Sequence, residues 1–377
     1  MDSAILDHRP HEESALQGAS GYLTIDLGAL ARNYEKLSAE VAPAQAAAVV
    51  KADAYGLGAE RVARKLYEHG CRHFFVAQFV EAERLRPLLS PDAAIFVLNG
   101  LQPGNEIPCA EGGIVPVINS LEQLQQWASA TAHLKRRLPA VLQFDTGMSR
   151  LGVPPQDRAA LSAILKTCGM VEILFMMSHL ASADDAGSEQ NGEQLAEMHR
   201  VAEEFPEFDI CFANSGGVFL GNSYHGALAR PGIALYGGAP TAGKPNPMEP
   251  VVRLDVAVVQ TRTVPAGTRV GYGATYVTAR ETRLATIAAG YADGLPRSLS
   301  NRGAVYCDGV RLPMVGRVSM DSITVDVSTL PEGRLGFGSL VEVLGPNQTL
   351  EDVARDAGTI SYEILTGLGH RYHRLYR

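Results

Sequence analysis

Residues 46 to 56 read Ala46-Ala47-Ala48-Val49-Val50-Lys51-Ala52-Asp53-Ala54-Tyr55-Gly56. The small and branched apolar residues run without interruption and stop at Lys51. A short apolar run bounded by turn residues predicts a strand buried on both faces, as in a parallel sheet. Lys51 therefore marks the carboxyl end of a strand, where parallel barrels carry their reactive groups. Two interpretations stay open here. The lysine either only caps the strand and extends into water, or its pKa is lowered by burial so that the free amine attacks a carbonyl.

Similar apolar runs recur along the chain and alternate with segments of helical periodicity. The runs cover residues 47–50, 74–77, 95–98, 114–118, 140–144, 173–177 and 210–213, and an eighth lies near 227–235. Helical patterns cover residues 61–68, 82–88, 121–128, 159–165 and 194–205. About eight strand–helix units over roughly 200 residues predict a closed (β/α)8 barrel, also called a TIM barrel. An open doubly wound sheet usually has fewer strands and a glycine fingerprint, which does not follow the first strand here.

The pattern changes within a Gly- and Pro-rich segment at residues 237–247, which predicts a linker or a long loop. Strand-like segments follow at residues 251–264, 283–289, 304–307, 311–315, 322–327 and 339–343, with a short helix at 350–357. We therefore predict an α/β protein with a flexible extension over 1–20, a barrel over 21–245 and a mainly β domain over 246–377. The first strand, near 22–26, is expected to pair with the β domain.

Composition narrows the class of protein. The net charge of -8 argues against nucleic acid as a partner. No apolar run is long enough to cross a membrane, and residues 1–20 do not resemble a signal peptide. The five cysteines are far apart, which indicates a reducing compartment and predicts a cytoplasmic protein.

Several polar residues follow predicted barrel strands and are expected to share one rim. They are Lys51, Arg150, His179, Asn214, Ser215 and Arg230. Taken singly, each of these residues is also compatible with an ordinary structural role, such as a surface ion pair in the case of Arg150. The second domain contains two predicted sharp turns, Gly271-Tyr272-Gly273 and residues 316–321. They either present functional side chains or only connect neighbouring strands, as ordinary hairpin turns do. His370 and His373 lack accompanying ligands, so we predict a solvated terminus and no metal site.

These motifs together resemble bacterial alanine racemases, which depend on pyridoxal 5'-phosphate. The resemblance begins with Ala48 to Gly58 and covers nearly the whole chain from Tyr22. It includes residues 145–152, 178–184, 214–216, 230–237, 270–276, 290–296, 316–327 and 361–363. It implies a barrel followed by a β domain, and a homodimer in which each active site is completed by the partner's second domain.

The resemblance also implies the chemistry. Lys51 would hold pyridoxal phosphate as a Schiff base and handle the α-proton of D-alanine, while Tyr272 would handle that of L-alanine from the opposite face. His179 and Arg230 would form a relay toward Tyr272, and Arg230 would donate to the pyridine nitrogen. Asp321 matches a further catalytic position.

The remaining site positions are also carried over from the resemblance. Those that match cofactor-binding positions are Tyr55, Arg150, Asn214, Ser215, Gly232, Ile233 and Tyr362. Arg150 would also contact the substrate carboxylate, Met320 would contact substrate through its backbone, and Tyr291 would narrow the entrance so that a small side chain fits best.

One position departs from the family pattern. Many members have a carbamylated lysine two residues before the aspartate of the Asp145 motif, whereas this chain has Gln143. A neutral amide cannot supply that charge. The candidates for orienting Arg150 are a hydrogen bond that it donates to the side-chain carbonyl of Gln143, or a bound anion. Rival functions are a racemase for serine or a broader set of amino acids, a decarboxylase of the same fold type, and a non-catalytic cofactor-binding protein. For an alanine racemase, two roles stay open: the supply of D-alanine for peptidoglycan and the degradation of D-alanine.

Overall fold

The computed structural model describes residues 19–377. The flexible extension predicted over residues 1–20 lies, except for its last two residues, outside the described part. The chain forms two compact units. The barrel unit comprises residues 25–252, 348–368 and 376–377, and the β unit comprises 19–24, 253–347 and 369–375. No helix between residues 19 and 377 is both long and apolar enough to cross a membrane.

Nineteen strands lie within the described residues. In chain order they are β1 (Gly21–Ile25), β2 (Gln45–Ala46), β3 (Ala48–Val49), β4 (His73–Val76), β5 (Ala94–Val97), β6 (Val115–Ile118), β7 (Leu138–Gln143), β8 (Val171–Met177), β9 (Ile210–Cys211), β10 (Leu228–Ala229), β11 (Val252–Val264), β12 (Arg269–Val270), β13 (Tyr276–Val277), β14 (Thr282–Ile287), β15 (Ala304–Cys307), β16 (Val310–Pro313), β17 (Ile323–Asp326), β18 (Leu340–Leu344) and β19 (His373–Tyr376).

Helices and helical turns connect these strands. They are α1 (Leu27–Val41), α2 (Lys51–Tyr55), α3 (Ala59–Glu68), α4 (Phe79–Leu85), α5 (Glu106–Glu111), α6 (Leu121–Leu134), α7 (Arg158–Thr167), α8 (Glu189–Glu204), α9 (Ser215–Val218), α10 (Leu350–Ala357) and α11 (Ser361–Gly367). Two short 3-10 turns matter below, Tyr272–Ala274 and Tyr291–Asp293.

The barrel is a ring of parallel strands in the order β2-β10-β9-β8-β7-β6-β5-β4-β3. β2 and β3 are two halves of one strand position, because their segment bonds to β10 on one side and to β4 on the other. Ala47 N donates to Ala229 O at 2.8 Å across the junction. The ring therefore has eight strand positions, and the predicted (β/α)8 class is confirmed.

The strands are apolar because both of their faces are covered. Phe74, Phe75 and Phe96 are fully buried, and the ring centroids of Phe75 and Phe96 lie 4.6 Å apart. The eighth strand, whose ends the sequence left open, is only Leu228–Ala229. The strand has only two residues and is followed directly by Arg230-Pro231-Gly232, which explains why its limits could not be read from the sequence.

The β unit is built on an eight-stranded sheet with the path β16-β15-β18-β11-β1-β19, to which β14 and β17 add through β11. β11 pairs antiparallel with β14 and β18, and β15 with β16 and β18. β1 lies between β11 and β19. The prediction of a solvated terminus at His373 is wrong, because this partly buried residue begins β19. The signal was weak because the strand is short and basic.

Candidate active site

The polar residues that the sequence placed after barrel strands lie at the carboxyl ends of those strands. Lys51 follows β3, Arg150 lies in the loop after β7, His179 follows β8 and Arg230 follows β10. All belong to the barrel unit. All barrel strands run in the same direction, so their carboxyl ends lie at one rim. Side chains that are far apart in sequence are therefore neighbours there.

Lys51 lies in an environment that disfavours its charged form. Burial lowers the pKa of its ammonium group, and the positive charges of Arg150 and Arg230 lower it further. The carboxylate of Glu81 acts in the opposite direction. The arrangement favours a neutral amine, which can act as a nucleophile or a base.

The backbone after Lys51 forms a left-handed turn. Ala52, Asp53, Ala54 and Tyr55 have φ angles of 53°, 55°, 53° and 56°. This conformation costs residues with a Cβ atom roughly 1–2 kcal/mol each, and such strain is concentrated at functional sites. Gly56 ends the turn at φ 83°, where a Cβ atom would lie 2.8 Å from the carbonyl oxygen of Leu365.

Glu81, which sequence reasoning missed, ties this turn to the next strand. Its Oε1 accepts a hydrogen bond from Ala52 N at 2.6 Å, and its Oε2 accepts from Ala77 N at 2.8 Å and Gln78 N at 2.9 Å. The carboxylate thus offsets part of the strain beside Lys51. The available signal was the position of Glu81, three residues after Gln78 at a helix start, which resembles a capping box.

His179 and Arg230 lie in contact. Arg230 Nη1 is 3.4 Å from His179 Nδ1. Because a guanidinium only donates, Nδ1 must accept, and a neutral ring then carries its proton on Nε2. Burial holds the pKa of His179 well below its usual value, with further lowering by the charges of Arg230, Arg150 and Lys51. His179 is therefore neutral at neutral pH.

Arg230 is buried and its guanidinium is fixed by further partners. Nε donates to Cys211 Sγ at 3.1 Å, and Nη2 donates to the carbonyl oxygens of Ser178 and Phe212. Cys211 lies at the end of β9 and is completely buried. Nothing in the local sequence indicated this contact, since the two residues are on adjacent strand positions and meet only in the closed ring.

Arg150 and Gln143 do not form the hydrogen bond that the sequence offered as one way to orient Arg150. Gln143 is buried at the end of β7, and no bond joins its side chain to Arg150 within residues 19–377. Arg150 is exposed and has no hydrogen bond or ion pair with that part of the chain. The loop carrying it is shaped by Asp145, whose Oδ1 accepts from three backbone N–H groups, including Ser149 N at 3.1 Å.

Hydroxyl and amide groups gather after the last two barrel strands. Ser215 Oγ accepts from Gly232 N at 2.8 Å. The Tyr55 hydroxyl packs directly against the backbone of Gly232, because a Cβ atom at that position would lie only 2.2 Å from the hydroxyl oxygen. The Tyr55 ring lies 6.0 Å from the Tyr362 ring. Asn214 supports the cluster, because its Oδ1 accepts from Gly217 N at 3.0 Å.

Ile233 adds an unpaired donor to this cluster. The residue is 1% exposed, and its backbone N–H donates to no acceptor within residues 19–377. Buried N–H groups are rarely left unpaired in folded proteins. An oxygen-rich anion is the kind of ligand that this donor and the neighbouring hydroxyls fit, and a phosphate group meets that description.

The other predicted site residues lie in the β unit. Tyr272, between Gly271 (φ 69°) and Gly273 (φ 71°), is 72% exposed. Tyr291 and Met320 are also exposed. Asp321 accepts a hydrogen bond from Arg371 Nη1 at 2.7 Å.

Family models identify both halves of the chain. The model described as the N-terminal domain of alanine racemase matches residues 25–240, and the C-terminal domain model matches residues 251–376. The chain belongs to the alanine racemase family. The predicted family is thereby confirmed.

Individual members of the alanine racemase family are similar over nearly the whole chain. A catabolic alanine racemase of Rhizobium johnstonii is 75% identical over 377 residues, with 100% of both chains covered. One of Agrobacterium fabrum is 62% identical over 98% of this chain and 96% of its own. The crystal structure of the Bartonella henselae alanine racemase with covalently bound pyridoxal phosphate superposes with a TM-score of 0.92, at 44% identity over 95% of this chain and 100% of that one.

Proposed function

We propose that this protein interconverts L-alanine and D-alanine by transferring protons at two bases, with pyridoxal phosphate bound at Lys51. Family membership confirms the predicted enzyme class, a racemase that depends on this cofactor. The observation that carries the residue assignment is the environment of Lys51, whose ammonium pKa is lowered by burial and by Arg150 and Arg230. A strand-capping lysine exposed to water would show no such shift.

The barrel unit offers hydrogen-bond donors that fit the cofactor. The phosphate group of pyridoxal phosphate would be held by Tyr55, Ser215, Gly232, Ile233 and Tyr362. The unpaired Ile233 N–H is the observation that supports this placement most directly. Asn214 would keep this cluster in place. Arg150 would contact the phenolic oxygen of the cofactor, and Arg230 would donate a hydrogen bond to the pyridine nitrogen of the cofactor.

The bound cofactor supplies an electron sink that makes the α-proton of the amino acid acidic. Arg230 cannot give up a proton, so it would leave the pyridine nitrogen of the bound cofactor unprotonated. The electron sink would then be weaker, which would limit side reactions. Arg230 is fixed in this role by Ser178 O, His179 and Cys211.

Two groups on opposite faces of the substrate perform the inversion. Lys51 Nζ removes or returns the proton of D-alanine, and the Tyr272 hydroxyl that of L-alanine. The exposure of Tyr272, 72%, suits a phenol that serves a second copy of the chain. We therefore propose a homodimer with shared active sites, in which Tyr291, Met320 and Asp321 also act on the partner's site. Arg150 would hold the substrate carboxylate.

The physiological role follows the relatives. Two of the most similar proteins are named catabolic alanine racemases, so we propose that this enzyme degrades D-alanine by converting it to the L form. The five free cysteines, four of them buried, fit a reducing compartment. We propose a cytoplasmic location with small molecules rather than nucleic acid or membranes as ligands.

The first experiment tests activity and the two bases. Purified enzyme should interconvert both alanine enantiomers faster than it acts on L-serine. Tyr272→Phe should lose about 10²–10⁴-fold in kcat, whereas the matched control Tyr306→Phe, on β15 of the same unit, should not. A Tyr272→Phe enzyme with unchanged kcat would contradict the two-base proposal, and a protein that binds the cofactor without racemising alanine would be a carrier.

The second experiment tests the shared site. Lys51→Ala and Tyr272→Phe are each expected to be inactive alone. After mixing under conditions that exchange subunits, half of the dimers are mixed and each holds one intact site, so about a quarter of the wild-type activity should return. No recovery in a sample proven to contain mixed dimers would mean that Tyr272 acts within its own chain.

A further inference from the structure

Arg371 bridges two carboxylates on separate turns of the β unit. Its Nε donates to Asp293 Oδ1 at 2.6 Å and its Nη2 to Asp293 Oδ2 at 2.8 Å, while Nη1 donates to Asp321 Oδ1 at 2.7 Å. Arg371 thus makes two bonds to one carboxylate and a third bond to another. This pattern needs the planar guanidinium with its separate N–H groups, and a lysine cannot reproduce it.

Asp293 holds the turn that carries Tyr291. The turn spans Tyr291–Asp293, and Asp293 Oδ2 accepts from Gly290 N at 2.9 Å. The Asp293 side chain is 5% exposed, so it depends on Arg371 for charge compensation. A buried carboxylate that loses its partner is strongly disfavoured, and this contact therefore differs from an ordinary exposed ion pair.

The second turn carries Met320 and Asp321 and touches the first. Tyr291 N donates to Ser319 O and Ala292 N donates to Met320 O, both at 3.0 Å. A Cβ atom on Gly290 would lie 2.4 Å from Met320 O, so the two turns are in direct contact at that point. Arg371 joins them through their side chains as well.

We infer that Arg371 is a positioning residue that fixes Tyr291 relative to Met320 and thereby limits the size of the amino acid that the enzyme accepts. The inference rests on the proposed function, in which Tyr291 narrows the entrance and Met320 contacts the substrate. Without the bridge, Asp321 is released from Arg371 and the Asp293 turn loses its charge partner. The two turns can then separate and admit a larger side chain.

The test compares Arg371→Lys with a matched control, Arg334→Lys. Arg334 makes a similar two-bond contact with Asp308, at 2.5 and 2.6 Å, but belongs to neither turn. The kinetic constants kcat and KM are measured for L-alanine, L-serine and L-2-aminobutyrate, together with the thermal midpoint. Tyr291→Ala serves as the reference for an opened entrance.

The preference for alanine over serine is measured as the ratio of the two kcat/KM values. In Arg371→Lys this ratio is expected to fall about tenfold, which is the low end of the discrimination that a pocket achieves against one additional group on the substrate. KM for alanine should rise more than kcat falls. Arg334→Lys should keep the wild-type ratio. A purely structural role would lower the thermal midpoint and the amount of active enzyme but leave this ratio unchanged.

The outcomes separate the two proposals. A ratio in Arg371→Lys within twofold of wild type, in a variant that folds, overturns the role of Arg371 even if Tyr291→Ala broadens the specificity. If Arg371→Lys does not fold, Arg371→Gln takes its place, and failure of both to fold overturns the inference, because the residue then serves the fold. A wild-type protein that does not racemise alanine would instead overturn the proposed function.

Discussion

Arg230 Nη1 lies 3.4 Å from His179 Nδ1, with the guanidinium as the only possible donor of that pair. This contact fixes the state of the histidine. Burial and the positive charge of Arg230 both lower the pKa of His179, so the ring stays neutral, and its remaining proton lies on Nε2. The pair thus presents a fixed cation beside a neutral imidazole at the rim that holds Lys51.

Replacing Arg230 with lysine should reduce turnover although the charge is kept. Arg230 makes these contacts from three separate nitrogens, Nε to Cys211, Nη1 to His179 and Nη2 to Ser178 O, and the single nitrogen of a lysine cannot occupy all three positions. We expect kcat for alanine to fall about 10²-fold or more, measured by chiral analysis of the product. Cys211→Ser, which keeps an acceptor for Nε, is the control and should lose far less. An Arg230→Lys enzyme that turns over at the wild-type rate would refute this role.

His179 should make stability depend on pH. Its pKa is lowered well below 6.5 in the folded protein, so below that pH the unfolded chain binds a proton that the folded chain does not. Stability should therefore fall as the pH drops below 6.5, by at most about 1.4 kcal/mol per pH unit from this group. Urea unfolding of the holoenzyme between pH 5 and pH 8 measures the slope. His179→Gln should show a shallower slope, and equal slopes would disprove the assignment.

Glu81 should stabilise the left-handed turn after Lys51. In Glu81→Gln one oxygen that accepts backbone N–H groups becomes an NH₂ donor, so a bond such as Ala52 N to Oε1 is lost. The free energy of unfolding should fall by about 1.5–3 kcal/mol. The loss of negative charge should also lower the pKa of Lys51 further.

The control for this prediction is Glu106→Gln. Glu106 Oε2 also accepts from a backbone N–H, that of Gly104 at 2.8 Å, but this is a single contact, whereas the Glu81 carboxylate accepts from three backbone N–H groups on two segments. Substitution of Glu106 should change stability by no more than about 0.5 kcal/mol. Urea titrations of the three proteins decide the matter, and equal losses in both variants would show that Glu81 is an ordinary surface cap.

The enzyme should be fully active without carbonate, because Gln143 has no amine to be carbamylated. Activity of carbonate-free enzyme and of enzyme supplemented with bicarbonate should be the same. Gln143→Lys restores an amine at this position, and only this variant is expected to respond to bicarbonate. A clear rescue of the wild-type enzyme by bicarbonate would be incompatible with the prediction.

Much of the barrel could be predicted because its strands are encoded locally. The apolar runs around Val49, Phe75 and Val141 each correspond to a strand, and the carboxyl end of each run corresponds to the rim where Lys51 lies. The helix at Leu350–Ala357 was also predicted with its observed limits. The structure assigns it, together with α11, to the barrel unit. Linear order along the chain could not reveal this assignment.

The contacts that fix the site side chains were not visible in the sequence. Arg371 and Asp293 are 78 residues apart, Arg230 and Cys211 are 19 apart, and Glu81 reaches back 29 residues to Ala52. None of these pairs produces a periodic pattern. Each depends on the register of strands and turns that meet only after folding.

The sequence by itself therefore determined the class of fold, the rim on which the reactive residues lie and the family to which their motifs belong. The tertiary structure decided the left-handed turn at Ala52–Tyr55, the neutral state of His179 and the Arg371 bridge. The physical reason is that burial and hydrophobic periodicity act on neighbouring residues, whereas charge, strain and hydrogen bonding in a site are set by groups brought together from distant segments.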